Sequence, residues 1–183
     1  GFNVTAEEGR GWGSEMFKRL WQRGNNMPFT SVTWDGDTGW PNAFFYQDNV
    51  YSAFQTAPRL ATYVNANLAI STNVVVIAHS LGNMVVASAI GDCGMDVDKF
   101  FMLDAAVPSE TLDPSQWNTN AIGNAMVPDD WQGYACRTWA STWHKLFTAS
   151  DDRSKLAWTS AFSNISPSIL YNYYSSGDEV LEL

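Results

Sequence analysis

The stretch Val74-Val75-Val76-Ile77-Ala78-His79-Ser80-Leu81-Gly82-Asn83-Met84-Val85-Val86-Ala87-Ser88-Ala89-Ile90-Gly91 decides how the rest of the chain is read. Its opening run, Val74–Ala78, is continuous and rich in β-branched residues, the pattern of a strand covered on both faces in a parallel sheet. From Leu81 to Ile90 small and apolar residues take over, a helical stretch that Gly91 closes. Between the two sits Ala78-His79-Ser80-Leu81-Gly82. A serine in a tight strand-to-helix turn projects its hydroxyl above the carboxyl edge of a sheet, and small residues at 78 and 82 let strand and helix pass closely. The helix start also aims backbone N–H groups at any anion formed there. The competing reading is an ordinary serine N-cap, its hydroxyl spent on a backbone N–H of the first turn.

Working outward, Lys99–Leu103 and Ile169–Tyr174 read as two further short strands. Upstream, Glu7 to Arg23 spaces Trp12, Met16, Phe17, Leu20 and Trp21 as the apolar face of a helix that Gly24 ends. Phe29–Trp34 alternates and is closed by Asp35-Gly36-Asp37, which predicts a strand. Asn49 to Leu68 is helical in pattern, with Val50, Phe54, Leu60, Tyr63 and Val64 as its stripe and Pro58 as a kink. Alternating strands and helices define the α/β class. The stretch 109–166 breaks the rhythm: it holds Trp117, Trp131, Trp139, Trp143 and Trp158, five of the nine tryptophans, and reads as a cap or insertion. Those tryptophans suit either an apolar cover over a site or the small core of the insertion itself.

The 183 residues make one domain, long enough to bury roughly 70% of the unfolded surface without staples. Ten basic against 19 acidic residues leave a net charge of −9. Residues 1–91 carry 5 basic and 6 acidic groups and residues 92–183 carry 5 and 13, so the acidity lies in the second half. That charge disfavours a nucleic-acid partner. The apolar runs are far shorter than the roughly 18 residues of a transmembrane helix, and these 183 residues show no charged n-region followed by the apolar h-region of a signal peptide.

The residues around Ser80 resemble the α/β-hydrolase family: Ala78-His79-Ser80-Leu81-Gly82 matches its G-x-S-x-G in the variant where Ala stands first. The resemblance runs over most of the chain. It implies a doubly wound, mostly parallel sheet with a Trp-rich cap, and a serine hydrolase of carboxylic esters, esterase or lipase in type, acting on a small-molecule or lipid ester. Ser80 would be the nucleophile, and no cofactor or metal is implied. Gly1-Phe2-Asn3 is similar to the family's His-Gly-Phe oxyanion segment, its alternative being a frayed terminus. The backbone N–H groups of Phe2 and Leu81 would then hold the oxyanion, each donor worth on the order of 3 kcal/mol.

The family order is Ser, then Asp or Glu, then His. Asp178, in Ser175-Ser176-Gly177-Asp178-Glu179 after a strand, is the implied acid; Asp104, one strand earlier, is its rival, and both could be plain loop carboxylates. For the base, His79 adjoins the nucleophile on the wrong side of the turn, and His144 precedes Asp178, against the family order. The resemblance therefore implies a fragment, with the first strands ahead of Gly1 and the catalytic His beyond Leu183. A first sheet strand with an open apolar edge would then be free to self-associate. The runner-up readings are a non-catalytic hydrolase-fold binding module of a larger protein, or an amidase or thioesterase on the same fold.

Other motifs fail. Gly9-Arg10-Gly11-Trp12-Gly13 lacks nucleotide-binding spacing and follows no strand. Asp92, Asp96 and Asp98 do not make a calcium loop. Cys93 and Cys136 form no framework, although the two could pair.

Overall fold

The structure, a computed structural model, is described over residues 4–36, 46–68, 73–112, 147–155 and 162–175. Helix α1 spans Ala6–Gln22. Thr5 caps it reciprocally: its hydroxyl accepts the Glu8 N–H at 3.2 Å, and the Glu8 carboxylate accepts the Thr5 N–H at 2.9 Å. That pairing holds the Glu8 carboxyl below its ordinary range. Gly24, at φ +85°, ends the helix as expected.

The apolar face of α1 is not buried, contrary to its pattern: Trp12 and Trp21 remain 57% and 59% exposed. The helix instead lies against the segment that follows it. A Cβ on Gly13 would come within 2.2 Å of the Ser31 hydroxyl and one on Gly9 within 3.1 Å of Thr33, so two glycines one turn apart admit that segment. Phe17 and Phe29 meet at 5.6 Å between ring centroids. The strand predicted for Phe29–Trp34 does not form. Alternation favours extended backbone, but a strand needs a partner for its N–H and C=O groups, and no described strand lies alongside this one.

Helix α2, Tyr46–Asn67, runs through Pro58 without ending there. Its buried stripe is Val50, Ala53, Ala57, Ala61 and Val64, whereas Tyr63 is 42% exposed. Val50 and Val64 of the predicted stripe are thus buried, Phe54 and Leu60 pack half-buried against the core, and the small residues between them are alanines, whose bare methyls allow close packing.

Strands β1 (Val75–His79), β2 (Lys99–Leu103) and β3 (Leu170–Tyr173) form a parallel sheet in the order β1-β2-β3. Helix α3, Gly82–Gly91, connects the first two. The fold is thus mixed α/β around a small parallel sheet. Its C-terminal ends are level: His79 pairs with Leu103, and Leu103 with Tyr173. Phe100 and Met102 point into the core with Leu81, Met84 and Val85. On the opposite face, by strand alternation, lie Ile77, Phe101, Tyr171 and Tyr173, with Phe101 stacked on Tyr171 at 4.8 Å. This face is only half covered, Ile77 being 36% exposed, so β1 is less enclosed than its run of β-branched residues suggests. The left-handed glycine after α3 is Gly94, at φ +66°, rather than Gly91, which stays inside the helix.

The ends of the 109–166 excursion belong to the main core. A short helix α4, Ser109–Leu112, leaves Thr111 fully buried, and its carbonyl accepts the Phe162 N–H at 2.9 Å. Phe162 is itself fully buried and stacks on Phe54 of α2. Arg153 bonds Asp48 in the first turn of α2 and Asp151 beside it, and its guanidinium lies 4.3 Å from the Phe147 ring centre. Its five tryptophans lie outside the described residues. Among the described residues no helix is long and apolar enough to cross a membrane.

Candidate active site

Ser80 follows the last residue of β1 and stands two residues before α3, in the left-handed region at φ +52°. A non-glycine residue is rarely held there, at a cost of about 1–3 kcal/mol, and such strain gathers at functional turns. The main chain fixes it from three sides. The Ser80 N–H donates to the Leu103 carbonyl at 3.0 Å, while its own carbonyl accepts the N–H groups of Asn83 at 3.1 Å and Ala106 at 3.3 Å. The capping role is not seen. The N-cap residue is Leu81, without a side-chain bond, and the Ser80 hydroxyl has no hydrogen bond among the described residues. Ser80 is half-buried at the carboxyl edge of the sheet, and its hydroxyl is unspent among the described residues.

Leu81 is fully buried. Gly82 is less constrained than the sequence suggested: a Cβ there would sit 3.9 Å from the Trp34 indole nitrogen and 4.0 Å from the Ala78 Cβ, which is ordinary contact. A methyl therefore fits there. The Trp34 indole also folds over Gly36, where a Cβ would come within 2.7 Å of it. Trp34 lines a cleft of about 420 Å³ with Val4, Thr5, Ala6, Thr33 and Asp35.

His79 is exposed and sets its ring edge-on to Trp12 of α1, 5.6 Å between centroids, where it serves packing. Asp104 ends β2 beside Ser80, at φ +40°. Its N–H donates to the Tyr173 carbonyl at 2.8 Å and its carboxylate accepts the Ser175 N–H at 2.9 Å. Phe2, Asp178 and His144 lie outside the described residues.

Asn83 was not singled out in the sequence, yet it ties the site together. Wholly buried in α3, its amide nitrogen donates to the Ser80 carbonyl at 2.8 Å and the Leu103 carbonyl at 3.3 Å. Its side-chain oxygen has no partner among the described residues. The available signal was a lone amide inside the apolar run Leu81–Ile90.

The carboxylates of Asp92 and Asp98 go to separate structural tasks. Asp92 accepts the Ser88 hydroxyl at 2.7 Å, Asp98 accepts the Val74 N–H at 2.6 Å, and no metal-binding group occurs among the described residues. Cys93 is a free thiol that burial and the Asp92 charge push up, which makes it a poor nucleophile.

Comparison of the chain with protein-family models, with curated proteins and with solved structures finds no match.

Proposed function

We propose that this chain carries the nucleophile of a serine hydrolase acting on carboxylic esters, built on an α/β-hydrolase scaffold with a doubly wound sheet and a Trp-rich cap. The observation that carries the reading is Ser80 itself: a strained, left-handed serine between a parallel strand and a helix, its hydroxyl bonded to none of the described residues. In this mechanism the Ser80 hydroxyl oxygen attacks the ester carbonyl carbon while a histidine takes its proton. The N–H groups of Leu81 and Phe2 receive the resulting oxyanion. The histidine then protonates the departing alkoxide, and water repeats the sequence on the acyl-serine to release the acid. Asp178 orients the histidine, which the family order places after Asp178.

The test uses the full-length protein and a fluorophosphonate probe. Labelling should fall on Ser80, and Ser80→Ala should remove it while leaving the circular dichroism spectrum unchanged. Labelling at another serine would move the nucleophile elsewhere. A folded protein that takes no label would instead be the non-catalytic module.

A further inference from the structure

Ser80 and Asp104 are the two non-glycine residues at positive φ among those described, at +52° and +40°. They occupy equivalent places, each directly following one member of the His79 and Leu103 pair that closes the β1 and β2 ladder. Their turns are bonded into one unit by the Ser80 N–H on the Leu103 carbonyl, the Ala106 N–H on the Ser80 carbonyl and the Asn83 amide on both carbonyls. On its other side Asp104 bonds the exit of β3 twice, through its N–H to Tyr173 and its carboxylate to the N–H of Ser175.

We propose that Asp104 is a positioning residue that fastens the exit of β3 to the nucleophile turn. The proposal rests on the hydrolase reading above, in which Asp178 follows Ser175 by three residues in the sequence. A fixed point at Ser175 restricts where a carboxylate three residues later can stand relative to Ser80. Three strand exits are thereby registered through two adjacent left-handed turns. The role needs an acceptor oxygen at 104 and a residue tolerant of positive φ; it does not need a charge. Asparagine meets both requirements and glycine only the second.

The experiment compares Asp104→Asn with Asp104→Gly in the full-length protein. It follows amide exchange at Ser175 by NMR and the rate of fluorophosphonate labelling at Ser80. Asp104→Asn should keep Ser175 protected and label within about threefold of the wild-type rate, while Asp104→Gly, free of backbone strain, should expose Ser175 and label at least about tenfold more slowly. Loss of labelling in Asp104→Asn with Ser175 still protected would overturn the proposal and make Asp104 the triad carboxylate. Unchanged exchange in Asp104→Gly, or lost protection without slower labelling, would overturn it as well. A wild-type protein that takes no label refutes the hydrolase reading alone, since exchange at Ser175 still decides whether the fastening exists.

Discussion

Replacing Ser80 by glycine should make the protein more stable than replacing it by alanine, the reverse of the order inside a helix. At φ +52° any residue with a Cβ is strained, by about 1–2 kcal/mol for the left-handed region. Glycine removes that strain but loosens the unfolded chain by about 0.4–1 kcal/mol relative to alanine. The difference favours Ser80→Gly by about 1 kcal/mol, or roughly 2–4 °C in Tm for a domain of this size. Neither variant keeps the hydroxyl, and the main-chain bonds of Ser80 survive in both, so the comparison isolates the backbone. The control is Ser88, also in α3 but helical, where glycine should be less stable than alanine by about 1 kcal/mol. Urea unfolding followed by tryptophan fluorescence measures all four variants. If Ser80→Gly is as stable as Ser80→Ala or weaker, Ser80 carries no strain, and the observation on which the nucleophile assignment rests is lost.

Three further outcomes are expected. Asn83→Ala removes two hydrogen bonds but also the unpartnered side-chain oxygen, so urea unfolding should show a loss of about 1–3 kcal/mol. Asn83→Asp should cost more at neutral pH, because an ionised carboxylate cannot donate to the Ser80 and Leu103 carbonyls and would be buried against them; equal losses would show that the amide donors are not what hold the turn. The Asp151 carboxyl is held below its ordinary range, first by the Arg153 hydrogen bond. A lowered folded value means stability that is present above the unfolded pKa and is lost as pH falls through the folded one. Unfolding between pH 6 and 3 should therefore show a smaller acid loss for Asp151→Asn than for wild type, and identical slopes would remove this pair from the acid response.

Legibility in the sequence followed the range of the interactions. β1, α3 and β2 were read almost residue for residue, because hydrophobic runs and glycine punctuation are local signals that tertiary packing here reinforces. Phe29–Trp34 was misread because alternation reports local preference alone, and strand formation depends on a partner remote in sequence. On α2 the sequence pattern marks Val50 and Val64 of the buried side but misses Ala53, Ala57 and Ala61 and includes the exposed Tyr63, since a small residue carries little hydrophobic signal until packing selects it. Asn83 was overlooked because a buried amide looks like any other polar residue until the carbonyls it bridges are brought beside it.

For the site, residue types and order alone marked Ser80, since a small-residue turn between a β-branched run and a helix is written in consecutive positions. Tertiary structure decided the rest. That the Ser80 hydroxyl caps nothing, that Ser80 and Asp104 share left-handed backbone on neighbouring strands, and that Asp104 holds Ser175 all follow from strand register. Residues 80, 104 and 175 are far apart along the chain, and parallel pairing is what sets them side by side: each strand begins at the same end of the sheet, so the residues that leave it gather at one edge.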